Sequence, residues 1–194
     1  MKNGKLLSFV TALTHLVDQA DLTEVEVLGQ AKLLMSSLVA QDDWLPEPMA
    51  VPDSEHYRQN LLYGDPLDRF SLISFVWGPA QRTPIHNHTV WGVIGMLRGA
   101  ETQQPYRITP KGLQPAGPDQ ILKPGEVACV SPTIGDIHTV RNAFDDRVSI
   151  SIHVYGGNIG RIERTTYAPA TGLPTRFVSG YSNPLLPNLW SRED

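Results

Sequence analysis

The rhythm of apolar positions changes once along the chain. In the first forty or so residues Leu6, Phe9, Val10, Leu13 and Val17 recur at steps of three and four, the spacing of one helix face. A second face follows in Val25, Leu28, Ala31, Leu34, Met35 and Leu38. Asp21-Leu22-Thr23-Glu24 has capping-box spacing, with Asp where Ser or Thr is usual, so the second helix is expected to start at Asp21. Two amphipathic helices covering one side of a sheet is the structural reading of this pair.

From about residue 44 Pro and Gly punctuate short apolar runs rich in Val, Ile, Phe and Trp. Strands are predicted at Phe70 to Trp77, Thr89 to Arg98, Glu101 to Ile108, Val127 to Ser131, Ile137 to Asn142 and Val148 to Val154. Gly78-Pro79, Pro110-Lys111-Gly112, Pro124-Gly125 and Asp145-Asp146 mark turns between them. Closely spaced short strands predict an antiparallel sandwich or barrel, not βαβ units. A single domain of residues 1–194 is expected: a helical segment over 1–43, a barrel over 44–167 and a coil over 168–194. The coil, rich in Pro, Gly and Ser, is expected to lie ordered on the barrel with Trp190 as its anchor.

Composition narrows the partners. With 194 residues, 41% of them hydrophobic, the chain can bury a core unaided. Lys and Arg number 16 against 20 Asp and Glu, a net charge of -4, which argues against nucleic acid or an anionic membrane as partner. Cys129 is the single cysteine, so no intramolecular disulfide is possible and a reducing compartment fits. No apolar run is long enough for a transmembrane helix, and the apolar run Leu6 to Val10 is too soon interrupted for a signal peptide. The expectation is a cytoplasmic monomer.

Three clusters carry chemistry. His86-Asn87-His88 would, on an extended strand, project both imidazoles to one side. Inside a barrel they need hydrogen bonds or a metal. His138 lies about fifty residues later on another predicted strand, within Pro132 to Asn142. Ser151, His153 and Tyr155 alternate along the last core strand and would face one side. Hydroxyl, imidazole and phenol in a row can hydrogen-bond as Ser to His to Tyr and so poise the phenol proton. The alternative is a half-buried strand whose polar residues are merely satisfied.

The histidine clusters resemble the paired motifs of the cupin superfamily. In the first, HxH is followed by three or four residues, Glu, six residues and Gly. With Gly99 as the terminal glycine, Gly92 stands at the Glu position. In the second, Gly135, His138 and Asn142 match, and Pro132 is one residue further from the Gly than usual. The resemblance implies a mainly β fold, a double-stranded β-helix or jelly-roll barrel behind an N-terminal helical segment. It also implies metal ligands His86, His88 and His138, with the fourth, carboxylate ligand lost. Three neutral imidazoles leave a divalent ion its full charge and open positions, and ligand count alone does not separate iron from zinc.

With the Ser-His-Tyr row added, the chain resembles a thiol dioxygenase of the cysteine dioxygenase family. The markers run from Tyr57-x-x-Asn60-Leu61 through Trp77-Gly78, His86-x-His88 and His138 to Ser151-x-His153-x-Tyr155. The resemblance implies one Fe(II) per chain, a small thiol and dioxygen as substrates, a sulfinic acid product, and Tyr155, His153 and Ser151 as the catalytic row. Cysteine-specific members of the mammalian type carry Arg where this chain has Gln59. The chain is closer to the bacterial Gln-type branch, associated with 3-mercaptopropionate and its product 3-sulfinopropionate. There an Arg shortly after the row takes the carboxylate. Arg161 and Arg164 are the candidates, and register favours Arg164. No acidic residue in the motifs clearly faces the metal to receive a cysteine ammonium; Asp136 either faces inward or caps the turn. The alternatives are a cysteine dioxygenase forming cysteine sulfinate, or a promiscuous small-thiol dioxygenase. Val90 to Ile94 contain no Cys, so Tyr155 is expected unmodified and Cys129 to be a buried apolar residue. Outside this class stand a zinc or manganese isomerase or hydrolase, against which the Ser-His-Tyr row argues, and a non-catalytic ligand sensor, against which the retained histidines argue.

Overall fold

Helix α1 (Lys2–Val17) buries Leu6, Phe9, Val10, Leu13 and Leu16. Helix α2 (Glu24–Val39) starts later than Asp21, because Thr23 and Glu26 form the reciprocal cap. The Thr23 backbone N–H donates to the Glu26 carboxylate at 2.9 Å, and the Glu26 N–H donates to Thr23 Oγ1. Val25 therefore falls in the exposed first turn, 64% accessible, and Val39 joins Leu28, Ala31, Met35 and Leu38 in the core. The structure, a computed structural model, describes residues 2–189. Trp190, the expected anchor of the last segment, lies outside the described residues.

The strands are β1 (Arg58–Gly64), β2 (Ser71–Trp77), β3 (Ile85–His86), β4 (Gly92–Arg98), β5 (Glu101–Thr109) and β6 (Gly112–Pro115). They continue with β7 (Gln120–Leu122), β8 (Val127–Val130), β9 (Ile137–Asn142), β10 (Ser149–Tyr155), β11 (Arg164–Tyr167) and β12 (Pro174–Phe177). One sheet runs β1-β2-β10-β4-β8 and the other β12-β11-β3-β9-β5-β6, with β7 also on β5. Their pairings are antiparallel. The fold is mainly β, a double-stranded β-helix with two helices packed on its five-stranded sheet.

Three expectations change. The strand predicted from Thr89 starts at Gly92, because Thr89 sits at φ 63°, in the left-handed region where a strand cannot continue. His86 and His88 therefore do not share one strand: His86 ends β3 and His88 lies in the loop to β4. The segment expected as coil includes β12, which pairs with β11. The strand β1 escapes the alternation rule because its register shifts between Leu61 and Tyr63.

Strands β2 and β10 are buried at every position, because both of their faces are covered. Leu72, Val76, Ile150, Ile152 and Val154 join the helix-side core. Ile73, Phe75, Trp77 and Tyr155 form the core between the sheets. The period of two thus sends Ser151, His153 and Tyr155 together into the barrel. On the helix side, a Cβ at Gly95 would lie 2.6 Å from Met35 Cγ, so the glycine lets α2 close down on β4.

Candidate active site

His86 and His138 are cross-strand partners on β3 and β9, and the loop after β3 brings His88 beside them. Their ring centroids are 4.8 to 5.0 Å apart, all three residues are buried, and one ligand atom from each lies within 4.8 Å of the others. Hydrogen bonds fix two of the tautomers. His86 Nδ1 lies 3.0 Å from the Pro84 carbonyl oxygen, and His88 Nδ1 lies 2.9 Å from Asp136 Oδ1. Each Nδ1 must carry its hydrogen there, which leaves the Nε2 lone pair as donor to an ion. Burial holds His86 down at about 3 and His138 well below its usual value, so both rings are neutral at pH 7. Neutral, converging imidazoles with backed Nδ1 atoms fit a divalent metal.

Asp136 both faces inward and caps a turn. Besides His88 Nδ1, it accepts from the His88 backbone N–H at 2.9 Å and from Thr89 N–H at 2.9 Å. Burial raises its pKa, but these donors outweigh burial and the net shift is downward. This carboxylate thus backs one of the three converging imidazoles.

Gly92, which stands where the cupin motif has Glu, is paired with Tyr155. A Cβ there would lie 2.8 Å from Tyr155 Cδ1. The phenol ring occupies the space a side chain at position 92 would need, and it stacks on His88 with centroids 5.2 Å apart. Ser151 Oγ lies 2.8 Å from His153 Nε2, and His153 Nδ1 lies 2.8 Å from the Tyr155 hydroxyl. Trp77 Nε1 donates to Ser151 Oγ at 3.0 Å. Burial keeps His153 neutral and pushes the Tyr155 phenol well up, so it holds its proton at pH 7.

Of the two candidate arginines, Arg164 is buried at 5% accessibility and Arg161 is exposed. Arg164 lies against the Phe177 ring of β12, 4.6 Å from its centroid, and donates to Ser179 Oγ at 2.6 Å. Its Nε is buried with no hydrogen-bond partner among the described residues. Gln59 Nε2 donates to the same Ser179 hydroxyl at 3.2 Å and to the Gly180 carbonyl at 3.1 Å. A cleft of about 430 Å³ opens here, lined by Tyr57, Gln59, Ser179 and Tyr181 among others. No local pattern marks Ser179, a serine in a Ser-rich tail 120 residues from Gln59. Cys129 is only half-buried. It lies on β8, pairs with Val93 of β4 and packs toward the helix-side core, away from Tyr155.

Residues 2–166 match the family described as Cysteine dioxygenase type I. Solved structures overlap less. An uncharacterised protein with a double-stranded β-helix domain from Klebsiella pneumoniae is 18% identical, covers 58% of this chain and 87% of its own, and has a TM-score of 0.46. An RmlC-like cupin from Desulfovibrio desulfuricans is 21% identical over 58% of this chain and 92% of its own, with a TM-score of 0.41.

Proposed function

The chain belongs to the cysteine dioxygenase type I family, and from that premise we propose that it adds both atoms of dioxygen to the sulfur of 3-mercaptopropionate, forming 3-sulfinopropionate. His86, His88 and His138 would hold one Fe(II), which when bound lowers the thiol pKa and activates dioxygen. The chain's own residues do the rest. Arg164 grips the substrate carboxylate, with Gln59 beside it. Tyr155 holds its proton beside the reacting sulfur and oxygen atoms, and His153 and Ser151 hold Tyr155. Tyr57 and Trp77, ring centroids 5.0 Å apart, pack with Tyr155 in the core between the sheets.

One observation carries the choice of acid: Arg164 is buried with its Nε unpartnered among the described residues. A buried guanidinium in that state wants an anion. The carboxylate nearest the histidines, Asp136, is engaged by His88 and Thr89 and is not free to receive a substrate ammonium. An amine-free thiol acid leaves no charge unpaired; cysteine would. The test is kcat/KM for 3-mercaptopropionate, cysteine and cysteamine. The expected order puts 3-mercaptopropionate first. Arg164→Ala should cost the two acids about 2–4 kcal/mol, the scale for breaking a desolvated charge pair, and leave cysteamine nearly unaffected. A wild type that prefers cysteine, or equal losses for all three thiols, would refute the assignment.

A further inference from the structure

Beneath Ser151 the barrel buries a carboxyl group that the catalytic row does not use. Glu101 opens β5 and is fully buried. Its Oε1 accepts a hydrogen bond from Gln103 Nε2 at 2.9 Å, whereas its Oε2 is buried with no partner among the described residues. Ser151 and Trp77 stand beside the same carboxyl, and burial outweighs their influence and that of Gln103 to push its pKa up. The backbone explains the encounter. Glu101 and Gln103 stand opposite Asn142 and Val140 of β9, further along the same ladder that pairs Pro105 with His138. They therefore lie below the metal ligands, at the depth where β10 presents Ser151.

Hydrogen counting ties this carboxyl to Tyr155. Neutral His153 has one N–H, so the row can run in only two directions. In one, Ser151 donates to His153 Nε2, His153 Nδ1–H donates to the Tyr155 oxygen, and the phenol hydrogen points into the site. In the other, Tyr155 donates to His153 Nδ1, His153 Nε2–H donates to Ser151, and Ser151 must find an acceptor elsewhere. An ionised Glu101 is such an acceptor and favours the second direction. A neutral Glu101 is a donor: with Trp77 on one lone pair of Ser151 Oγ and the acid O–H on the other, the serine hydrogen is committed to His153.

We propose that Glu101 is a neutral carboxylic acid whose O–H is directed at Ser151, and that it sets the direction of the row so that Tyr155 presents its hydroxyl hydrogen to the substrate. Glu101 is thus a positioning residue that acts through three others. The inference rests on Tyr155 as the hydrogen donor in the function proposed above.

Two measurements test it. The first needs no turnover: infrared difference spectra of wild type against Glu101→Gln at neutral pH should show the carbonyl stretch of an un-ionised carboxylic acid, sensitive to deuterium and lost in the variant. A carboxylate pair of bands lost instead would overturn the proposal. The second is steady-state kinetics with 3-mercaptopropionate. Glu101→Gln keeps an acceptor for Gln103 and a donor for Ser151, so kcat should stay within about threefold of wild type. Glu101→Met keeps the bulk but not the donor. Its kcat should fall roughly tenfold with KM little changed, short of the roughly 100-fold scale for losing an acid–base group outright. A Gln variant as slow as the Met variant, or a Met variant as fast as wild type, would overturn it. If wild type oxidises no thiol, the proposed function fails, while the infrared spectra still decide the state of Glu101.

Discussion

A few side chains carry the site, and each can be removed alone. His138→Ala should lose bound iron, read by elemental analysis, and all turnover, while circular dichroism stays that of a β protein. Full iron occupancy in that variant would contradict the ligand set. Tyr155→Phe deletes one hydroxyl and almost no volume. Its kcat should fall roughly 10- to 100-fold, more than KM changes, because the phenol is assigned to the reacting atoms and not to substrate binding. His153→Asn should resemble it, since His153 acts only through the same phenol 2.8 Å away. If instead both variants melt lower but turn over normally, the row is structural. At this scale the sequence was most informative. The histidines and the Ser-His-Tyr row were legible as residue types at fixed spacings, whereas the ligand set and the carboxylate arginine, Arg161 or Arg164, came only with the family resemblance. The partners that orient them were not: Pro84 behind His86 is a backbone carbonyl, which carries no sequence signal.

Among the elements, β4 shows how one strand serves two surfaces. Its Gly95 faces α2, with a built Cβ 2.6 Å from Met35 Cγ and 2.8 Å from Val39 Cγ1. Three residues earlier Gly92 faces the barrel, with a built Cβ 2.8 Å from the Tyr155 ring. The same substitution should therefore have different consequences. Gly95→Ala should lower stability by about 1–3 kcal/mol through overpacking, with kcat for the remaining folded enzyme close to normal. Gly92→Ala should displace the phenol and lower kcat more than it lowers the melting temperature. Thermal melts and kinetics on the two variants side by side read this directly, and a reversed pattern would mean the strand faces are misassigned. Element boundaries were less legible than element faces. Asp21 and Thr23 each begin a box ending in Glu, and only the closed pair Thr23–Glu26 shows which was used. Two-residue β3 is too short to have a period at all.

For the whole molecule the buried imidazoles dominate the response to pH. Burial holds His86 at about 3 and keeps His138 and His153 well below 6.5 in the folded metal-free chain. Between those values and 6.5 the unfolded chain binds protons that the folded chain does not. Stability is therefore fully present above pH 6.5 and is lost progressively as pH falls below it. The melting temperature of metal-stripped protein should drop steadily from pH 7 to pH 5. Added Fe(II) under anaerobic conditions should raise it most at pH 7, since protons compete for the same imidazoles. A flat profile would mean the histidines are solvated, not buried.

What the sequence determined by itself is local in origin. Residues two apart on a strand share a face, so Ser151, His153 and Tyr155 could be assigned to one row, and the helical repeat of α1 to one buried stripe. The motif resemblance also marked Gly92 as standing where a Glu is usual, though not the reason. Tertiary structure alone decided what meets across the barrel. It brought Ser179 to Gln59 and Arg164, Asp136 to the back of His88, the Tyr155 ring to the space at Gly92, and Glu101 to the foot of the row. These contacts join segments from 15 to 120 residues apart. Strand register and sheet closure set them, and neither leaves a repeat in the sequence of either partner.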